Sequence, residues 1–235
     1  CPRRHRGPVR DMLAGKRILL IVGGGIAAYK ALELTRLLKK EQVEVRAVLT
    51  KAGAEFVTPL TLGALAGNKV NLDLFDLGDE AEMGHIELSR AADLVVVAPA
   101  TADLMAKLAG GLANDLASTV LLATDKQVLL APAMNVRMWF HPATRRNLAT
   151  LAADGHLFVG PNAGEMACGE FGPGRMAEPA EILEAIRGAL ARPTLLALLG
   201  APTPDSVIVP EPPPRDPTGP LAGRHVLVLC CRVGC

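Results

Sequence analysis

Arg17-Ile18-Leu19-Leu20-Ile21-Val22-Gly23-Gly24-Gly25-Ile26-Ala27-Ala28 is the stretch on which the fold turns. A short, nearly unbroken apolar run ends in three glycines. A helical pattern follows over Ile26–Lys40, with Ala27, Ala31, Leu34 and Leu38 on one face. A run this short and this apolar reads as a strand buried on both faces, as strands of a parallel sheet are. The turn after it fits G-x-G-x-x-A, whose glycines let phosphate oxygens approach the N–H groups at a helix N-terminus. The same turn also occurs in tight connections that bind nothing, so alone it is a weak sign.

The pattern repeats outward. Strands are expected over Val43–Leu49, Asp93–Ala98, Gln127–Ala131 and Leu157–Gly160. Helices are expected near Pro59–Ala66, from Thr101 to Ala109, over His141–Ala153 and over Pro179–Ala191, with Pro59 suited to a first helical position. Strands alternating with helices at such intervals call for an α/β fold, a doubly wound parallel sheet in three α/β/α layers.

The bulk composition narrows the classes. The 235 residues suffice for one generous α/β domain, or for one domain plus a fragment. Hydrophobic residues make up 50% and aromatics only 3%, so the core is built from Ala, Leu and Val. A formal net charge of +1 supplies no field for nucleic acid or an anionic membrane. No apolar run approaches the roughly 20 residues of a membrane helix. Cys1, Cys168, Cys230, Cys231 and Cys235 have neither zinc-ligand nor disulfide-framework spacing, so no metal is expected and a cytoplasmic protein is the plain reading. The basic start Cys1-Pro2-Arg3-Arg4-His5-Arg6 lacks the apolar segment of a secretory signal.

Residues 1–11 read as an extension without a structural role, because Met12 leads straight into the first strand. Residues 12–192 form the expected domain. Residues 193–220 are a proline-rich, semi-extended linker. Within 221–235, Gly223–Leu229 looks like the first strand of another α/β domain, and one strand without its sheet cannot fold.

Several clusters carry possible chemistry. The second strand ends in Leu49-Thr50-Lys51, where a dinucleotide site would place an acid for the ribose; its absence argues against NAD, and Thr50 suits a hydroxyl or phosphate contact. His85, in Met83–Leu88, stands at the start of a short helix, whose dipole would favour the neutral imidazole; a surface histidine capping a turn is the plainer alternative. Ala98–Asp103 and Ala131–Asn135 lie just past the carboxyl ends of buried strands, the edge where open α/β sheets bind ligands. Asn135 offers two amide donors for a carboxylate, or else an Asx turn before a helix. In Gly111–Thr119, Asn114 or Asp115 either caps a helix continued by Ser118 and Thr119 or meets a ligand. Cys168 sits alone in the glycine-rich stretch Ala163–Met176, expected to form a flap over a ligand.

Gly24–Lys30, Met83–Leu88, Ala98–Asp103, Ala113–Leu116, Pro132–Asn135 and Ala167–Met176, in that order, resemble the flavin-containing cysteine decarboxylases. The likeness covers roughly residues 13–190 and is nearest to the phosphopantothenoylcysteine decarboxylase half of bacterial bifunctional coenzyme A proteins. It implies a Rossmann-like flavoprotein fold, bound FMN and a small-molecule substrate, 4′-phosphopantothenoylcysteine. A cysteine carboxylate beside an amide nitrogen has no electron sink; oxidising the CH2–SH group to a thioaldehyde places C=S β to the carboxylate and makes loss of CO2 feasible. The resemblance further implies His85, Asn135 and Cys168 as catalytic residues. Asn135 would hold the carboxylate with Met138 beside it, and Cys168 would protonate the enethiolate. Gly169 and Arg175 belong with the substrate, under a flap from about Asn162 to Glu178. Gly24, Gly25, Thr50, Thr101, Asp115 and Ser118 are the candidates for the FMN shell. A trimer-based homo-oligomer, possibly a dodecamer, is implied as well.

Two departures stand out. Family members commonly carry Ser or Thr where this chain has Gly23, which removes one hydroxyl contact to the phosphate, worth about 1 kcal/mol. Leu221–Val228 resembles the opening of the ligase domain before the sequence leaves that pattern, so ligase activity is not expected. Two other functions fit the same motifs: a decarboxylase of peptides ending in cysteine, and a flavin-binding regulatory protein without catalysis.

Overall fold

A computed structural model of the chain describes residues 13–73, 87–165 and 169–191. Five parallel strands form the central sheet: β1 (Arg17–Val22), β2 (Glu44–Leu49), β3 (Leu94–Ala100), β4 (Val128–Pro132) and β5 (Leu157–Phe158), in the order β2-β1-β3-β4-β5. Leu20 lies opposite Ala47 on one side and Val96 on the other. Because side chains alternate along a strand, the fully apolar β1 feeds two cores at once. Ile18, Leu20 and Val22 join one, and Leu19 and Ile21 the other.

The helices are α1 (Tyr29–Lys40), α2 (Lys51–Ala54), α3 (Pro59–Ala66), α4 (visible over residues 87–91), α5 (Ala102–Ala109), α6 (Leu116–Ala123), α7 (Val136–Phe140), α8 (Pro142–Ala153) and α9 (Pro179–Ala191). Ala31, Leu34 and Leu38 of α1, Leu62 of α3 and Ile182 and Ile186 of α9 pack on the first core. Leu88 of α4, Met105 of α5, Val120 of α6 and Leu151 of α8 pack on the second. The doubly wound, three-layer architecture is therefore as expected. The order 2-1-3-4-5 adds something the periodicity did not supply. The chain steps from β1 to β2 and then returns past β1 to β3, so the topological switch point, where such sheets bind ligands, lies between the carboxyl ends of β1 and β3.

Element bounds differ modestly from expectation. β3 runs on to Ala100, and β5 stops at Phe158 instead of Gly160. A single 3-10 turn, Ile26–Ala28, precedes α1. The larger difference is in the glycine-rich flap. The expected flap takes the form of an antiparallel hairpin, β6 (Asn162–Glu165) with β7 (Phe171–Arg175), in which Gly164 faces Gly172. Phe171-Gly172-Pro173-Gly174-Arg175 has neither β-branched residues nor alternation, so nothing in its composition signals a strand.

Residues 1–12 and 192–235 lie outside the described residues, and with them the extension, the linker and the ligase-like tail. Among the described residues, no helix is long and apolar enough to cross a membrane, and no three His, Cys, Asp or Glu side chains cluster as metal ligands.

Candidate functional site

The carboxyl edge of the sheet brings together the ends of β1, β2, β3 and β4. Gly25 leaves β1 with φ +110° and ψ 160°, a region essentially closed to other residues, and a Cβ there would meet no atom within 4 Å. Among the described residues, no side chain caps the helical turn that follows. Gly23 has a different reason to be glycine: a Cβ would lie 2.4 Å from the carbonyl oxygen of Pro99. The close approach of β1 and β3 thus excludes a serine or threonine at position 23 unless the backbone moves, whatever a hydroxyl there would contribute to a phosphate.

Thr50 and Thr101 close the ends of β2 and β3 as helix caps. The Thr50 hydroxyl donates to the Val22 carbonyl at 3.1 Å, and its oxygen accepts from the Gly53 N–H at 3.0 Å. Thr101 Oγ1 accepts from the Leu104 N–H at 3.2 Å and so caps α5. Each hydroxyl accepts from one of the orphan amides of its helix; the Thr50 hydrogen is spent on Val22, and the Thr101 hydrogen has no partner among the described residues.

A cavity of about 740 Å³ opens between the glycine turn, the segment after β4 and the hairpin. Gly24, Gly25, Ile26 and Ala27 form one side, Ala133, Met134 and Asn135 a second, and Glu165 and Gly174–Met176 a third. Lys30 also lines it, although only 6% of the residue is exposed. Its ammonium donates to the Met176 carbonyl at 3.0 Å and pairs with Glu178 at 2.8 Å, which ties α1 to the foot of β7. The hairpin is held from the other side as well, by the Met134 N–H donating to the Gly174 carbonyl at 3.0 Å.

Asn135 stands at the start of α7. Its Oδ1 accepts from the Arg137 N–H at 2.7 Å, the Asx turn weighed in the sequence, while its Nδ2 donates to Glu170. One bond thus fixes which end of the amide points at the hairpin. Arg137 Nε donates to the other oxygen of Glu170 at 3.0 Å. Met138 is half exposed on α7, Gly169 is exposed with φ +78°, and Arg175 reaches toward Glu178 at 3.7 Å from the cavity wall. Asn135 and Arg175 therefore meet at one cavity with Gly24 and Gly25. His85 and Cys168 lie outside the described residues.

Asp115 and Ser118 are placed elsewhere. They form a reciprocal capping box at the start of α6: Asp115 Oδ1 accepts from the Ser118 N–H at 2.8 Å, and Ser118 Oγ accepts from the Asp115 N–H at 3.1 Å. Lys107 donates to Asp115 at 2.7 Å and pairs with Asp103 at 3.2 Å. Burial alone would raise the Asp115 carboxyl; the bonds from Lys107 and Ser118 outweigh it and hold the group below its ordinary value. The hydrogen bond to Asp115 raises Lys107 in turn, against the effect of burial. Neither Asp115 nor Ser118 is among the residues lining the cavity of the same chain.

Residues 6–191 match the flavoprotein family. The chain belongs to that family. It is 54% identical over 171 residues to the coenzyme A biosynthesis bifunctional protein CoaBC of Vibrio vulnificus, an overlap of 73% of this chain and 43% of that protein. The chain thus spans less than half the length of this curated relative. Among solved structures it resembles a cysteine-to-serine variant of a PPC decarboxylase complexed with pantothenoylaminoethenethiol, with 36% identity and a TM-score of 0.67 over 75% of this chain and 99% of that one. It also resembles the FMN binding protein AtHal3, with 37% identity and a TM-score of 0.63 over 73% of this chain and 95% of that one.

In this member of the flavoprotein family, four polar residues near these groups escaped the sequence reading: Lys30, Lys107, Arg137 and Glu170. Lys30 left a trace, because it falls between Ala27 and Leu34 on the helix face that packs inward. Glu170 left none, since its partner Asn135 is 35 residues away.

Proposed function

We propose that this chain binds FMN and catalyses the decarboxylation of 4′-phosphopantothenoylcysteine to 4′-phosphopantetheine in coenzyme A biosynthesis. The observation that carries the reading is the meeting, across one cavity, of a glycine turn suited to a phosphate and an asparagine amide suited to a carboxylate. The turn follows β1 at the β1/β3 switch point, and Asn135 follows β4 on the same carboxyl edge of the sheet. Similarity to a CoaBC protein and to a PPC decarboxylase supports the substrate class.

The residues present fit FMN. A volume of about 740 Å³ lies within the usual range of cofactor sites. Gly25 leaves open the space that a side chain would fill, beside a turn that no side chain among the described residues caps. Ile26, Ala27, Ala133 and Met134 offer apolar surface to a flat ring. FMN bound there would supply the reversible oxidation of the substrate thiol that makes its carboxylate a leaving group.

The remaining roles belong to the chain itself. Gly24 and Gly25 hold the phosphate end of FMN, with Thr50 beside it and the Thr101 hydroxyl able to donate to FMN. Asn135 holds the substrate carboxylate through Nδ2, its orientation set by the Arg137 N–H. Met138, Gly169 and Arg175 border the substrate on the α7 and hairpin sides. Cys168 delivers a proton to the enethiolate, and His85 stands beside flavin and substrate. The hairpin excludes water from the reacting thiol. Asp115 and Ser118 enter the FMN shell only through an interface between copies, since within one chain they bond to each other. A trimer-based homo-oligomer in the cytoplasm completes the reading. Ile26, Tyr29, Phe56 and Leu60, exposed apolar side chains bordering the same edge, are consistent with such an interface.

Visible absorption and CO2 release test the proposal together. A yellow protein that releases CO2 from 4′-phosphopantothenoylcysteine is expected, and Cys168→Ser should still release CO2 while ceasing to form the reduced thiol. Release only from a peptide ending in cysteine would replace the substrate. A protein that stays colourless with added FMN would sink the reading.

A further inference from the structure

The amide of Asn135 already holds a carboxylate. Nδ2 donates to Oε2 of Glu170, and Arg137 Nε donates to Oε1 at 3.0 Å. The Asn135 oxygen is engaged by the Arg137 N–H at 2.7 Å, so the amide is held with its nitrogen toward Glu170. Amide and guanidinium together grip both oxygens of one carboxylate.

We infer that Glu170 is an internal competitor at the substrate-binding site: its own carboxylate fills the subsite that Asn135 offers to the substrate carboxylate, and an acidic ligand enters that subsite only by displacing it. The inference rests on Asn135 as the carboxylate holder. A primary amide has two N–H groups, but a second carboxylate on it would stand beside Glu170 as a like charge. The Arg137 guanidinium, 87% exposed, is already paired with Glu170 at 3.0 Å. The arrangement therefore suits one carboxylate at a time. An acidic ligand exchanges with Glu170 like for like. A neutral ligand offers Arg137 nothing in return, and the decarboxylated product is neutral at that end. Once CO2 has gone, Glu170 regains Asn135 and the product loses its hold there.

The alternative is that Glu170 is only a strut for the hairpin. The hairpin has other ties, from Met134 to Gly174 and from Lys30 to Met176, that do not involve it. The two roles part in ligand binding. Glu170→Gln keeps an acceptor for Asn135 and removes the charge. Calorimetric titration of the full chain would compare 4′-phosphopantothenoylserine, which keeps the carboxylate but has no thiol to oxidise, with its decarboxylated counterpart.

Glu170→Gln is expected to bind the acid about two- to fivefold more tightly, as suits the loss of one partly screened like charge, and to bind the decarboxylated ligand unchanged. Glu170→Ala should show the same selectivity, which covers a folding defect in either variant. Equal shifts for both ligands, or weaker binding of the acid, would overturn the inference. If the wild-type chain binds neither ligand, the substrate assignment fails on its own. N-acetylserine then reads the subsite: selective tightening in Glu170→Gln upholds Glu170 as its occupant, and indifference overturns it.

Discussion

The parallel sheet and the antiparallel hairpin over its edge are held by different forces. Leu19, Leu20 and Ile21 of β1 are 0% exposed and buried between two helical layers. In the hairpin, by contrast, Phe171 is 78% exposed, and Ala163, Glu165 and Arg175 also face solvent. Among the described residues its anchors include polar ties from Lys30 to Met176, Met134 to Gly174, Asn162 to Glu181, and Glu170 to Asn135 and Arg137. Apolar burial is non-directional and fixes the scaffold as a whole, whereas each polar anchor fixes one point. A cover built this way can be loosened or re-aimed without unfolding what lies beneath.

The sharpest way to break the contrast is at the sheet. Leu20→Ala deletes a fully buried side chain that packs with α1 on the first core. Large-to-small changes of this kind cost about 2–5 kcal/mol, which is a large share of a domain's total stability. Denaturant unfolding should report a single cooperative loss of that size. A loss below about 1 kcal/mol would mean that β1 is not the spine of the fold.

Much of that spine was legible in the sequence. A buried parallel strand announces itself because both faces are apolar, and all five expected strands are present. Adjacency was not legible: periodicity says that a strand is buried, not beside which neighbour, so the switch point needed the structure. Gly23 illustrates the same limit. In sequence it is a missing hydroxyl; in space it is the only residue that clears the Pro99 carbonyl. Asn135 draws attention in the sequence by its place after a buried strand, but its grip on Glu170 joins segments with no shared pattern. Asp115 and Ser118 carried two readings, and within one chain the capping box is the one that forms.

Lys30→Met tests the hairpin's side of the contrast. It removes a buried cation that satisfies the Met176 carbonyl, where Met176 itself is 1% exposed. A buried acceptor left without its partner costs about 1–3 kcal/mol. The expected signature is regional. Hydrogen exchange should quicken at the Met134 amide and along the hairpin, while the amides of β1 and β3 keep their protection. Equal loosening of both regions would mean that the hairpin is integral to the core, and the contrast would collapse.

The smallest effect is expected at Asp115, which belongs to neither region. Asp115→Ala removes the α6 cap and costs about 1 kcal/mol. Its pH dependence follows from the directions of the two shifts. The Asp115 carboxyl is held below its ordinary value, so its contribution is complete above the unfolded value of about 3.9 and fades as pH falls through the lower folded one. Lys107 is raised, so its contribution is complete below about 10.4 and fades only as pH rises through the higher folded value. The difference between wild type and Asp115→Ala should therefore stay flat from about pH 5 to pH 9 and shrink in acid. Flavin content adds a second readout. If Asp115 serves only its own helix, the variant keeps its full complement of FMN; if a second copy brings Asp115 to the flavin, FMN is lost at a pH where the change in stability is still small.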